Sequence, residues 1–396
     1  LEDVVKKTIT GEWGTEIKND INDIYVIRTA DFNNDGTINY ENILKRNIKK
    51  DKINEKKLEI GDIIVEKSGG TDKNPVGRVV FFNKKDYLCL ANNFTQVIRI
   101  KENINSKYIF YNLLYLYKQG NTLKMFNKTT GIQNLQIKQF LSQQINLVSF
   151  NEQNKIVNEL DKVQEIIDLR KKQIEELEDL IKSEFVEMFG DPFDNSKWKI
   201  KKLGEVAESI YDGTNIPPKY YQSEGKVLFL RIQNVWRNEF RLDDSVYVTE
   251  ETNKIYMDTS LKNGDLLITK IGRYYTKESS LGRVAIYLGE DNKANYSNNI
   301  MRIRVKDEIN SKFLNILLNL EDYQLFIRRE SKGGTDKRAL SKKVIEDFPI
   351  IIPPIEMQNQ FIKFVKQIDN QKFILEKSLN EIEELQESLM NKYFGE

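Results

Sequence analysis

Histidine is absent from the 396 residues, and cysteine occurs once. Without histidine there is no Ser-His-Asp triad, no imidazole general base and no histidine zinc site. The lone Cys89 rules out a disulfide framework and suits a reducing cytoplasm. Within Tyr87-Leu88-Cys89-Leu90 it reads as a packed strand residue. No apolar run approaches bilayer length and no secretory signal is visible, so a cytoplasmic protein without membrane contact is expected. The first residue is Leu1 rather than Met, consistent with a trimmed start. Nucleotide-binding signatures are missing too: there is no GxxxxGK[ST] loop, and no GxGxxG run opens a helix after a strand.

Strong net charge is also lacking, since the total is +1. The distribution says more than the sum. Residues 151–190 carry 6 basic and 11 acidic groups and residues 355–396 carry 5 and 8, which leaves the rest of the chain at net +9. Two acidic stretches therefore alternate with two basic ones, an arrangement that suits domains touching phosphate and a spacer that does not.

What is present is a repeat organised around residues 152–189. Ile156, Leu160, Val163, Ile167, Ile174, Leu177 and Ile181 fall alternately four and three apart, with Arg170 the one polar residue on the seam. A displacement of 205 residues lands on Phe361, Val365, Ile368, Leu375, Leu379 and Ile382, with Leu389 beyond. Identities persist at constant register: Gln153-Asn154 on Gln358-Asn359, Glu178 on Glu383, Ser183 on Ser388, Phe189-Gly190 on Phe394-Gly395. Duplication explains this better than two unrelated coiled coils. One narrow stripe cannot be buried alone, so the two helices are expected to pair, antiparallel by connectivity, each spanning roughly 57 Å at 1.5 Å per residue. Arg170, Lys372 and Gln386, which break the seam, read as register devices.

The remainder repeats as well. Gly77-Arg78-Val79 recurs as Gly282-Arg283-Val284, Ile98-Arg99-Ile100-Lys101 as Ile303-Arg304-Val305-Lys306, and Ile104-Asn105-Ser106-Lys107 as Ile309-Asn310-Ser311-Lys312. Strands are expected at 24–29, 62–66, 77–82 and 95–101, a helix at 105–117 and a shorter one at 136–142. Asp62 to Lys67 resembles the acidic-plus-lysine cluster of some nucleases, but Asp265 to Lys270 lacks the glutamate, so neither a catalytic nor a metal site is expected.

Between these anchors the copies diverge, and the divergent loops are basic and glycine-rich. The first copy offers Lys67, Ser68, Thr71 and Lys73, then Arg78, Asn92, Asn93, Lys128, Thr129 and Thr130. The second offers Lys270, Arg273, Tyr274, Tyr275 and Lys277, then Arg283, Asn298, Asn299, Lys332, Thr335, Lys337 and Arg338. Glycines let main-chain N–H groups approach phosphate, Lys and Arg neutralise it, and Arg and Asn side chains match base edges. For any one of these residues a solvated turn is an equal alternative; as a group they favour DNA.

Ile352-Pro353-Pro354-Ile355-Glu356-Met357-Gln358 is close to the Pro-Pro-Leu-x-Glu-Gln segment leading into a long helix of type I restriction-modification specificity (HsdS) subunits. The chain resembles that family over essentially its whole length, including the half-length duplication. Its first copy, Leu147-Val148-Ser149-Phe150-Asn151-Glu152-Gln153, lacks both prolines, and Met357 stands where Glu is usual. Gly333-Gly334-Thr335 through Leu340-Ser341 follows the family pattern too. The resemblance implies an α+β fold: two tandem mixed α/β target recognition domains, at residues 1–150 and 191–350, separated by conserved spacer helices at 151–190 and 351–396. Those helices would form an antiparallel coiled coil with a pseudo-twofold internal repeat. It further implies a non-catalytic reader of a bipartite double-stranded DNA target. Such a reader docks two modification subunits, which carry S-adenosylmethionine and methylate adenine. It also docks two restriction subunits, which use ATP and Mg to translocate and cut; no cofactor is expected in this chain. The competing readings are a coiled-coil scaffold for protein partners and, weakened by the missing motifs, a self-contained nuclease.

Overall fold

Short β-branched runs, each too brief to stand alone, fold here by pairing across long sequence separations. The computed structural model describes residues 1–19, 21–84, 88–129, 131–194, 197–274, 279–334 and 336–395. The chain divides into two units, Leu1–Lys172 with Glu376–Glu396, and Gln173–Leu375.

The first unit contains, in order, β1 (Val5–Thr10), β2 (Asp23–Ile27), β3 (Leu44–Asn47), α1 (Lys50–Lys56), β4 (Ile63–Glu66), β5 (Ser68–Gly69), β6 (Val79–Phe81), β7 (Cys89–Ala91) and β8 (Thr95–Ile100). There follow α2 (Ser106–Lys118), the hairpin β9 (Phe126–Thr129) and β10 (Ile132–Leu135), α3 (Ile137–Leu141) and the start of α4 (Phe150–Phe189). The main sheet has the order β1-β8-β4-β6; β3-β2-β7 and β5-β10-β9 are separate three-stranded sheets. β4 is buried on both faces: Ile63 and Val65 join the core under α2, while Ile64 joins a second core with Ile27 and Phe82. That explains why its sequence is a continuous apolar run rather than an alternating one. Asn105 caps α2 by accepting from the N–H groups of Lys107 and Tyr108.

The second unit repeats the plan. After α4 come β11 (Lys199–Lys202), α5 (Leu203–Val206), β12 (Ala207–Asp212), β13 (Val227–Leu230), β14 (Val246–Val248), α6 (Glu250–Ile255), β15 (Leu266–Thr269), β16 (Ile271–Arg273), β17 (Val284–Ile286), β18 (Ala294–Tyr296) and β19 (Ile300–Val305). Then follow α7 (Ser311–Asn319), α8 (Glu321–Glu330), β20 (Lys332–Gly333), β21 (Lys337–Ala339), α9 (Lys342–Glu346), β22 (Pro349–Ile352) and α10 (Ile355–Phe394). The sheet β12-β19-β15-β17 matches β1-β8-β4-β6, β14-β13-β18 matches β3-β2-β7, and β16-β21-β20 matches β5-β10-β9. Register is kept as well, with Gly69 opposite Gln133 and Gly272 opposite Arg338.

Within each unit the long helices run antiparallel. In the first, Lys171 pairs with Glu383 (3.2 Å), Gln386 donates to Gln164 (2.8 Å) and the Tyr393 hydroxyl donates to Glu159. In the second, Lys372 pairs with Glu178 (2.6 Å) and the Phe361 ring meets those of Phe185 and Phe189. The helix ends exchange roles between copies. Phe361, at the start of α10, packs with Phe185 and Phe189 from the end of α4 and Phe313 from α7. Ile156, at the start of α4, shares a core with Met390 and Phe394 from the end of α10 and Tyr108 from α2. Position for position these are one cluster displaced by 205 residues, which is the expected pseudo-twofold repeat.

Candidate nucleic-acid interface

Each domain fixes its helix with the same pair of amides. Gln153, 1 % exposed, accepts the Asn105 N–H (2.9 Å) and donates to the Val148 carbonyl (2.8 Å), while Asn105 Nδ2 donates to Asn154. Gln358 likewise accepts the Asn310 N–H (2.8 Å) and donates to the Pro353 carbonyl (2.8 Å), and Asn310 donates to Asn359. A second repeated device holds the central strand. Arg99 grips Asp62 with two 2.8 Å hydrogen bonds, and Arg304 grips Asp265 with two of 2.7 Å. Each buried carboxylate also accepts a turn N–H, from Glu59 or Lys262. The nuclease-like carboxylates are thereby spent on arginines, Asp62 on Arg99 and Glu66 on Arg78 (2.7 Å). Among the described residues no group of three metal-ligating side chains gathers.

On this scaffold stand the divergent basic loops. In the first domain Lys67 and Ser68 lie against the Asn92–Thr95 turn through two N–H bonds to the Phe94 carbonyl (2.8 and 3.0 Å), and the Ser68 hydroxyl donates to Asn134 (2.6 Å). Asn93 is exposed; Thr71, whose hydroxyl accepts the Asn74 N–H, and Lys73 are exposed on the next loop. Lys128 on β9 pairs with Asp72 across that surface (3.1 Å). In the second domain Arg273, Lys332 and Lys337 are exposed on β16, β20 and β21, with Asp336 3.8 Å from Arg273. The Arg338 guanidinium stacks on the Tyr274 ring at 3.9 Å. Arg273, Lys337 and Asn299 line one cleft of about 700 Å³ with Ser279, Ser280 and Arg283. Asn298, exposed, lies beside it in sequence, and Lys270 donates its N–H to the Asn299 carbonyl (2.9 Å). Thr130, Tyr275, Lys277 and Thr335 lie outside the described residues, and Thr129 is described only as the last residue of β9.

Four expected contacts are differently placed, the first being Ser68, 8 % exposed, whose hydroxyl is given to Asn134. Arg78 donates to Glu66 and to the carbonyls of Phe32 and Thr29, so its guanidinium ties the domain's own loop. Arg283, 7 % exposed, donates to the carbonyls of Ser279 and Val235 and lies 3.7 Å from the Trp236 ring. A glycine-flanked arginine in a short motif looks like a surface cation, but these two are loop braces. Asn92 is 4 % exposed, which leaves Asn93 as the presented amide. Sequence reasoning missed the loop after β13, where the Arg241 guanidinium lies 3.5 Å from the Trp236 ring and Arg231 pairs with Asp244. The interleaved Trp236-Arg237 and Arg241 was the available signal.

The family model for the type I restriction modification DNA specificity domain matches residues 1–179 and again 195–384. The chain belongs to the type I restriction-modification specificity (HsdS) family. Its relatives include the type I restriction enzyme MjaVIII specificity subunit of Methanocaldococcus jannaschii, 26 % identical over 79 % of this chain and 74 % of that protein. The StySPI specificity subunit of Salmonella potsdam is 20 % identical over 85 % of this chain and 75 % of its own length. The crystal structure of the type I restriction-modification S subunit from M. genitalium superposes with a TM-score of 0.55 at 17 % identity, covering 100 % of this chain and 95 % of that one. The HsdS fold thus accounts for both matched halves. No described helix is long and apolar enough to cross a membrane.

Proposed function

We propose that this chain reads a bipartite, asymmetric DNA sequence for a type I restriction-modification complex without catalysing a step itself. One observation carries the reading: a single scaffold occurs twice with its bracing bonds conserved, while the presented basic hairpins diverge almost completely. Two unlike readers call for a target with two unlike halves, and the helices would set the unread spacer between them. The modification subunits would dock on the helices, whose outward positions include Ile166 and Leu169 in the first unit and Phe373 and Ile374, 68 % and 65 % exposed, in the second. S-adenosylmethionine, ATP and Mg belong to partners in this reading, with two modification and two restriction subunits in the cytoplasm.

The test is to co-produce the chain with its modification subunit in a host lacking adenine methylation and to map methylated adenines by sequencing. A two-part motif is expected. Exchanging residues 191–350 for those of a relative should alter one half only, and alteration of both halves or neither would overturn the reading. A scaffold that binds only proteins would show no steep salt dependence on DNA.

A further inference from the structure

The residue that follows the central strand is a lysine in both domains, and the main chain treats the two alike. Lys67 donates its N–H to the Phe94 carbonyl (2.8 Å) and accepts from Leu135 (2.8 Å); Lys270 donates to Asn299 (2.9 Å) and accepts from Leu340 (2.8 Å). The edge strands alongside are equally well aligned. β1 and β12 are each followed by a glycine so closely packed that a Cβ on Gly11 would sit 1.8 Å from the Asn92 carbonyl oxygen, and one on Gly213 2.2 Å from that of Ser297. No slip between the copies is therefore possible at this point.

The residue before that glycine differs. In the second domain it is Asp212, whose carboxylate pairs with the Lys270 ammonium. In the first it is Thr10, whose hydroxyl donates to Gln96 (3.2 Å) and offers no charge. Lys67 is half-buried and has no carboxylate partner among the described residues. The charge that bears on it is a like one, Lys56, itself held by Glu12 (2.9 Å). Burial first, and Lys56 second, hold the Lys67 ammonium below the usual lysine range. An ammonium kept half out of water without a counter-charge destabilises the free protein and is relieved by an arriving anion.

We propose that Lys67 is a fixed phosphate-binding position of the first domain and that Asp212 is a built-in substitute for that phosphate in the second. The inference rests on the reading of both domains as DNA-binding. It follows that the first domain holds duplex DNA of any sequence, whereas the second engages only where matched contacts compensate for opening the Asp212–Lys270 pair.

The experiment uses the full chain and a random-sequence 30-base-pair duplex, with affinity measured by fluorescence anisotropy across a salt series. Each phosphate contact contributes about 0.9 to the slope of log affinity against log salt. Lys67→Met should lower the slope by about that amount, Lys270→Met should leave it unchanged, and Asp212→Asn, which frees Lys270, should raise it by about 0.9. Equal effects of the two lysine variants, or no gain from Asp212→Asn, would overturn the proposal while leaving the DNA reading intact. Absence of salt-dependent binding by the wild-type chain would remove both. Thermal unfolding gives an independent readout: Lys67→Met should raise the midpoint by relieving an unpaired charge, and Lys270→Met should lower it. The opposite order would contradict the assignment.

Discussion

The two recognition domains keep what holds them together and change what they present. Both retain the Asp–Arg grip, at Asp62 with Arg99 and Asp265 with Arg304. Both retain the capping asparagine and the buried glutamine behind it. Against this constancy, Lys128, which faces Gln133 and pairs with Asp72 in the first copy, stands where the second has Gly333, which faces Arg338 stacked on Tyr274. Bonds that satisfy buried groups cannot change without a large stability loss, whereas solvated side chains can be exchanged freely. That contrast separates the framework from the presented surface.

The largest expected effect tests where the two frameworks differ in strength. The second domain closes around four phenylalanines, whereas the first uses Ile156, Met390, Tyr108 and Phe394 at the same places. Phe361→Ala should cost about 4 kcal/mol and Ile156→Ala about 3 kcal/mol in urea unfolding, and the reverse order would show that the aromatic cluster adds nothing. Asp265→Ala leaves Arg304 without its carboxylate and should cost about 3 kcal/mol, as should Asp62→Ala. Cys89 tells the two apart, because burial pushes its thiol up to about 12 and it lies only in the first domain. Below that value the native thiol is protonated as well as covered, so labelling by a disulfide reagent at neutral pH reports opening of the first domain. Asp62→Ala should speed labelling; Asp265→Ala should not, and equal acceleration would mean that the domains unfold as one. Gln358→Ala strands the Asn310 N–H and should cost about 2 kcal/mol. Smallest is Lys372→Ala, which removes an exposed pair with Glu178 and should change stability by less than about 1 kcal/mol.

The duplication, the long helices and the central strands were legible because their signals are periodic or repeated. Ile156, Leu160, Val163 and Ile167 are buried as the seam requires, and so are Phe361, Val365 and Ile368. Farther along, Ile174, Leu177 and Ile181 are only half-buried, since a two-helix seam away from a domain core is covered on one side alone. The polar breaks proved informative: Gln386 meets Gln164 and Lys372 meets Glu178, pairings that favour one register over a slipped one. The hairpin β9 and β10 was not legible. Phe126-Asn127-Lys128-Thr129 has no alternation, and its strand exists because β10 is paired with β5 more than sixty residues earlier. Nor was the inward commitment of Arg78 and Arg283 legible, because it depends on the carbonyls of Thr29 and Phe32 for Arg78 and on the Val235 carbonyl and Trp236 ring for Arg283, all distant in sequence.

In the proposed reading the two domains read unlike half-sites and the long helices set the spacer between them. Insertion of seven residues into both helices at facing positions adds about 10 Å at 1.5 Å per residue, or about three base pairs of duplex. Mapping the methylated motif of such a variant should show both half-sites unchanged and the spacer lengthened by about three base pairs. An unchanged spacer, or altered half-sites, would contradict the account.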